Sequence, residues 1–391
     1  MTYSFSLKFP QKIIFGPGKL ADLESIIGRF GSQPLLLLGS RSFSATGHYR
    51  FLQELFVKLG INCHTAQIGS EPTPRMIDSI VRQFSDSGID LVIAIGGGST
   101  LDGGKAVSAM LAEGEEITRF LEGVGTESPS GRKVPFIAIP TTSGTGSEAT
   151  SNAVITSVGR NGFKSSLRHD NYLPNLALVD PALTLSCPQA LTVACGMDCF
   201  SQLVEGYLST NGSPPADALA LEGTRAIGRS LRRVYADGGN LAARTDLSYA
   251  ALLSGIVLCN SGLGTVHGFA SALGGLFAIP HGVVCGTLMA KTNSLTLKRL
   301  RVGSKDQPAL VKYTKLGEIF SNQAGKTSAW YQDYFINELE RLTADLGIAK
   351  LGTYGVKISD IGNIVDQTGN KYNPIQLAKE DLANILADRI D

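Results

Sequence analysis

Two imidazoles stand in a stretch of chain that carries no charge. From Leu247 to Ala290, 44 residues pass without Asp, Glu, Lys or Arg, yet the stretch holds His267 and His281, two of the five histidines. A long charge-free span in a globular chain is core, and imidazole in a core is hydrogen-bonded or binds something. Glycines crowd the same span, among them Gly255, Gly262, Gly264, Gly268, Gly274, Gly275 and Gly282, and glycine lets backbone or ligand approach closely. The span reads as the wall of a buried site, although two satisfied core histidines would leave the same pattern.

A carboxylate and an amide stand elsewhere at helical spacing. Asp198 and Gln202 lie four apart in Gly196–Glu205, so they share one helix face, one turn apart. Together with His267 and His281 they would form a mixed nitrogen and oxygen set suited to Fe(II), Zn or Mn. Asp198 alone would equally serve as a helix cap or a surface acid, and spacing does not bring position 198 to position 267.

Two loops are built for polar ligands. Gly96-Gly97-Gly98-Ser99-Thr100-Leu101-Asp102 follows an apolar run and precedes an expected helix, Leu101–Glu113. Backbone N–H groups of a glycine turn at a helix start make a pyrophosphate site. Gly97, Gly98, Ser99 and Asp102 are its candidate residues, although the usual dinucleotide fingerprint is absent and a tight structural turn would look similar. The second loop, Pro140–Glu148, has five hydroxyl residues within seven positions. Thr141, Thr142 and Thr145 are its candidate coenzyme contacts, against the alternative of a solvated turn.

The elements that must position these loops follow from the apolar runs. Pro34–Leu38, Leu91–Ile95 and Val134–Ile139 are short apolar runs bounded by turn residues, the pattern of strands buried on both faces. Helical segments such as Thr46–Leu59 and Thr73–Ser87 alternate with them, which implies a parallel sheet. Ligands of such sheets bind beyond the carboxyl ends of the strands, where these loops lie. From about Pro188 the alternation stops and helical periodicity takes over, as in Gln189–Ser209 and Asp217–Tyr235. The expected architecture is an α/β nucleotide-binding domain over residues 1–185 and an all-helical domain over 186–391.

Composition narrows the class. A chain of 391 residues with 43% hydrophobic content is long enough for two cores. Its 35 basic and 34 acidic residues balance to a net charge of +1, which gives no basis for nucleic-acid or membrane-surface binding. The cluster Lys298, Arg299, Arg301 reads as the solvated end of a helix. The first residues lack the pattern of a signal peptide, and glycines interrupt the apolar runs of 247–290 before they reach membrane-spanning length. The six cysteines form no CxxC pair; Cys195 and Cys199, four apart, lack a second pair to make a metal site. All six are expected to be buried thiols in a reducing, cytoplasmic compartment.

Taken together these motifs resemble the iron-containing, or group III, alcohol dehydrogenase family over almost the whole chain. GGGSTLDGGKA (96–106) resembles the family's phosphate loop, and PTTSGTGSEAT (140–150) its nicotinamide-side loop. GMDCFSQLVEGY (196–207) resembles the helix with the first metal ligands, and VHGFASALGG…IPHG (266–282) the segment with the last two. The resemblance implies NAD(P)-linked interconversion of a small alcohol and an aldehyde or ketone, by a homo-oligomer, dimeric or higher. It places a divalent metal, Fe(II) or Zn, in the cleft between the domains. Asp198, His267 and His281 match its metal-ligand and catalytic positions, and Lys164 a cofactor-contacting lysine.

Two departures stand out. Gln202 occupies a position that is His in many members, and an amide oxygen is a poorer ligand than imidazole for these metals; it is expected to be a weak member of the set. Ser271 stands where many members carry a second histidine thought to move a proton. Three protein ligands with an open position still make a catalytic site. For the coenzyme, Ser40 matches a position often held by Asp, whose carboxylate would favour NAD. With Ser40 neutral and Arg41 able to fork onto a phosphate, the loop favours NADP(H) or dual use. The rival activities are a metal-free reductase resembling maleylacetate reductases, a lyase resembling dehydroquinate synthases, and nucleotide binding without catalysis.

Overall fold

The computed structural model describes residues 4–39, 41–159, 162–303 and 307–390. Ser40 and the side chain of Arg41, the candidates for coenzyme choice, lie outside the described residues.

Six parallel strands form the sheet: β1 (Ile13–Phe15), β2 (Pro34–Leu38), β3 (His64–Gln67), β4 (Leu91–Gly96), β5 (Phe136–Pro140) and, later in the chain, Leu176–Val179. Between the last two a separate antiparallel hairpin is made by β6 (Asn152–Ser157) and β7 (Phe163–Arg168), which leaves Leu176–Val179 as β8. The order across the sheet is β1-β8-β5-β4-β2-β3. From β2 the chain steps outward to β3 and then back across to β4, so the strand order reverses between β2 and β4. A crevice opens outside the carboxyl ends at such a reversal. The register puts Leu38 beside Ile95 and Gly96 beside Pro140, so the loops after β2, β4 and β5 emerge side by side.

Every residue of β2, β4 and β5 is buried. Alternate side chains enter two cores: Leu35, Leu37, Val92, Ala94, Phe136 and Ala138 on one face, and Leu36, Leu38, Ile93, Ile95, Ile137 and Ile139 on the other. Each fully buried Leu or Ile contributes about 1.5–3 kcal/mol, which outweighs any need for a polar face in these strands.

From Gln189 onward the described residues contain helices and turns only. The Gln189–Leu208 helix is buried on nearly every side, as an apolar helix without a polar stripe must be. Asp198 and Glu205 are its only charged residues. Its neighbours are the Pro214–Ala236, Leu241–Ser261 and His281–Val302 helices, and their shared core reaches Ala149 and Val179 and packs against Ile13 and Phe15. The core thus runs without a break from the edge of the sheet into the helices. The Leu241–Ser261 helix is long and apolar enough to cross a membrane by composition, but its most apolar window is 67% buried inside the protein, where it serves as a core helix. Arg299 and Arg301 lie exposed at the end of the His281–Val302 helix, as expected, and pair there with Asp381 at 2.6 Å and Asp333 at 2.8 Å.

Candidate active site

The two charges of the Gln189–Leu208 helix point at the same histidine. Asp198, 2% exposed, places Oδ1 3.2 Å from His267 Nε2 and 3.5 Å from His281 Nε2. Glu205, two turns further on, receives the other side of His267: Nδ1 lies 2.7 Å from its Oε2. A carboxylate can only accept, so Nδ1 carries a proton for Glu205; Nε2 likewise donates to Asp198 while His267 is cationic, and would offer its lone pair only to a metal that displaced that proton. Glu205 also accepts the backbone N–H of Val266 at 2.6 Å and of His267 at 3.4 Å. It thereby satisfies donors at the start of the Thr265–Leu276 helix, whose cap residue, Gly264, has no side chain to do so.

His281 enters by a different device. Pro280 ends the connection after Phe277 as the cap residue, and His281 is the first residue of the His281–Val302 helix. One turn later on that helix Cys285, fully buried, places Sγ 3.8 Å from the Nε2 atoms of both histidines. The ligand atoms of Asp198, His267, His281 and Cys285 all lie within 4.8 Å of one another.

Electrostatics follow from burial and proximity. Burial alone would raise Asp198, but the imidazoles of His281 and His267 outweigh it and hold the carboxyl below its usual range. Burial pushes His281 down to about 4, against the pull of Asp198, so it is a neutral donor across the physiological range. His267 goes the other way: burial opposes its charge, but Cys285, Asp198 and Glu205 together raise it well above the ordinary value. Burial raises the Cys285 thiol to about 12. A buried carboxylate, two imidazoles and a thiol converging within a few ångströms can hold a divalent cation.

Gln202 is brought beside this cluster but its oxygen is engaged, accepting from Ser254 Oγ at 2.8 Å. Glu205 and Cys285 escaped the sequence reading. A signal existed for each: Glu205 is the only other charge in the Asp198 helix, and Cys285 lies four residues after His281. The cysteines are all free, but Cys63, Cys187, Cys195 and Cys259 are only half-buried, which corrects the expectation that all six are buried.

The candidate coenzyme residues approach from the sheet side. The helix after β4 begins at Gly98, with Gly97 as its cap, and not at Leu101; most of the glycine loop is therefore the first turn of the helix. A Cβ on Gly98 would lie 2.5 Å from Thr145 Cγ2, and one on Gly97 3.4 Å from Thr142 Cγ2. The two loops thus touch through absent side chains. Thr141 donates its N–H to Gly96 O at 2.8 Å. Asp102 is occupied internally: it accepts from Ser147 Oγ and from the Val154 N–H. Lys105, 1% exposed, donates to Ser147 O, Thr150 Oγ1 and Asn152 O. It pins the loop after β5 to the hairpin. Lys164, on β7, pairs with Glu71 at 2.9 Å. Ser271 is exposed, and its Oγ donates to Lys164 O at 3.4 Å.

One cavity of about 760 Å³ joins these groups. Gly98, Ser99 and Thr145 line one part, Lys164 the side, and Gln202, His267 and His281 another. Its size suits a small-molecule site.

A parallel sheet with a glycine turn at its reversal point, facing a helical half whose buried side chains could hold a metal across a shared cavity, fits a nucleotide-dependent oxidoreductase. Comparison with known proteins makes the class specific. Residues 10–181 match the family model described as iron-containing alcohol dehydrogenase, and residues 192–390 its C-terminal model. Long-chain-alcohol dehydrogenase 1 of Geobacillus thermodenitrificans is 32% identical over 91% of this chain and 88% of its own. The NADPH-dependent butanol dehydrogenase of Clostridium saccharobutylicum is 30% identical over 96% of this chain and 95% of its own. The crystal structure of a 1,3-propanediol oxidoreductase superposes with a TM-score of 0.89 at 27% identity, covering 99% of this chain and all of that one. The chain belongs to the iron-containing alcohol dehydrogenase family. It is an oxidoreductase of the EC 1.1.1 type, performing nicotinamide-linked oxidoreduction of alcohols.

Proposed function

We propose that this protein interconverts a small alcohol and its aldehyde with NAD(P), using a divalent metal, Fe(II) or Zn, held by Asp198, His267 and His281, with Gln202 a weak member beside them. The observation that carries this reading is Asp198 Oδ1 reaching both Nε2 atoms inside the cavity that also receives the Gly98 helix start. When bound, the coenzyme supplies or accepts the hydride and the metal draws charge from the substrate oxygen.

The chain's own groups provide the rest. Gly97 and Gly98 leave room for a pyrophosphate at free N–H groups of the helix start, with Ser99, Thr142 and Thr145 around it. Lys164, steadied by Glu71, stands at the side of the cavity where a coenzyme would lie. Glu205 fixes the His267 tautomer, and the neutral His281 needs no deprotonation to donate. We take the coenzyme-binding half as residues 1–185 and the helical half as 186–391. The end of β8 at Val179 and the helix start at Gln189 support that division. Ser40 and Arg41 remain our candidates for the choice between NAD and NADP; the ratio of kcat/KM for the two coenzymes in Ser40→Asp tests them.

The deciding experiment measures metal content of freshly purified protein alongside NAD(P)H oxidation with a panel of aldehydes. Asp198→Ala and His267→Ala should lose the metal and turnover together, and Gln202→Ala should lose less. Full turnover of metal-free protein in chelator would instead establish the metal-free reductase.

A further inference from the structure

We propose that Cys285 is the fourth protein ligand of this metal centre, in place of Gln202, and that it makes the site an aspartate, bis-histidine, thiolate centre that favours zinc over iron(II). The inference rests on the reading that Asp198, His267 and His281 hold the metal.

Helix geometry brings the thiol there. Cys285 follows His281 by four residues in the same helix, and side chains at that spacing stand one above the other, leaning towards the helix start. The result is a sulfur 3.8 Å from both Nε2 atoms, in one cluster with the Asp198 carboxylate.

The edge lengths test the fit. Zinc sits about 2.0–2.1 Å from nitrogen or oxygen and about 2.3 Å from sulfur; tetrahedral angles then give oxygen–nitrogen edges of about 3.4 Å and sulfur–nitrogen edges of about 3.6 Å. The oxygen–nitrogen edges here are 3.2 and 3.5 Å, and the sulfur–nitrogen edges are both 3.8 Å. These four of the six edges lie within about 0.2 Å of those of such a tetrahedron, and the remaining two are bounded by the 4.8 Å that encloses all four donors.

Gln202 is the poorer candidate on the same grounds. Its oxygen is neutral and already accepts from Ser254 Oγ. Position matters too. Gln202, His267 and His281 line the cavity, whereas Cys285 is fully buried and absent from its lining. The thiolate would close the rear of the site and leave the cavity face for a substrate oxygen, a fifth neighbour within zinc's range. On loading, the thiol proton is released to water as the sulfur–metal bond forms, so binding liberates one proton from this residue. A soft thiolate shifts selectivity towards zinc.

Cobalt(II) is the probe. Metal-stripped wild-type protein and Gln202→Ala should take up one equivalent and develop an intense near-ultraviolet thiolate-to-cobalt band. Cys285→Ser should still bind cobalt, at least about tenfold more weakly, without the band, and its zinc-over-iron(II) preference should shrink by a similar factor. One equivalent of cobalt without the band in wild type, or an unchanged band in Cys285→Ser, overturns the thiolate and leaves the three-ligand reading intact. Failure to bind cobalt at all, or unchanged binding in Asp198→Ala, overturns both. X-ray absorption at the zinc edge of the wild-type holoprotein needs no variant: one sulfur neighbour at about 2.3 Å is expected, and a shell of nitrogen and oxygen alone refutes the assignment.

Discussion

Glu205 does two things with one carboxylate: it orients His267 through Nδ1 and it satisfies the first N–H groups of the helix that carries His267. Those roles separate in Glu205→Gln. The amide oxygen can still accept one of these bonds, so the helix keeps its start, but the charge that makes His267 a stronger donor is gone. Metal affinity should fall about 10- to 100-fold, read by equilibrium dialysis, while the melting temperature of metal-free protein changes little. Equal metal affinity in the two proteins would reduce Glu205 to a helix cap. At this scale the sequence was informative in proportion to how unusual each residue is in its setting. His267 and His281 stand out against a charge-free stretch. Glu205 does not, because a glutamate in a helix reads as a surface charge until the helix is known to be buried. Cys285 does not either, because thiols are common core residues and only the fold brings this one to two imidazoles.

Among the elements, the glycine turn shows how packing and ligand binding can be told apart. A Cβ on Gly97 meets Thr142 only at ordinary contact distance, whereas one on Gly98 runs into Thr145. Gly97→Val should therefore fold normally and bind coenzyme far more weakly, because its branches fill the space left for the pyrophosphate. Gly98→Ala should lose stability as well, by about 1–3 kcal/mol of overpacking, since the loop after β5 must shift. Coenzyme titration and thermal melting of both variants separate the two effects; a Gly97→Val protein with unchanged affinity moves the pyrophosphate elsewhere. The strands flanking this turn were legible because burial on both faces leaves an unbroken apolar run, as in β2, β4 and β5. β8 is just as buried and apolar but only four residues long, and it escaped the reading; the remaining strands lack the pattern. β3 reads His-Thr-Ala-Gln and alternates between half-buried and exposed at the sheet edge, and β1 has three residues. The β6–β7 hairpin, which carries Lys164, is rich in Ser and Thr, so its strand character comes from pairing and not from hydrophobic pattern.

For the molecule as a whole, the junction of sheet and helices is held by close contacts and by buried charge. Gly146, with φ of 62°, packs its backbone directly on Gly255 of the Leu241–Ser261 helix, leaving no room for a side chain on either residue. The short helical turn beside it, Ser147–Ala149, buries Glu148 at 3% exposure. Burial raises the Glu148 carboxyl to about 7 from an ordinary 4.5, with Lys105 pulling weakly the other way. The folded protein therefore keeps a proton there that the unfolded chain releases. Between about pH 4.5 and 7 the folded state binds more protons than the unfolded one, so this group makes stability fall as pH rises through that window. The loss is complete above about 7 and absent below about 4.5. Its size is at most about 3 kcal/mol at one pH unit per 1.36 kcal/mol. Glu148→Gln keeps the shape and cannot ionise, so it should gain stability over wild type on going from pH 5 to pH 8 and hold that gain at higher pH. Denaturant midpoints of the two proteins at pH 5 and 8 measure it directly, with the other titrating groups common to both. A constant difference between the proteins across this range would mean that Glu148 is ionised in the fold and paired with Lys105, making that lysine a charge partner as well as a strut between the loop and the hairpin.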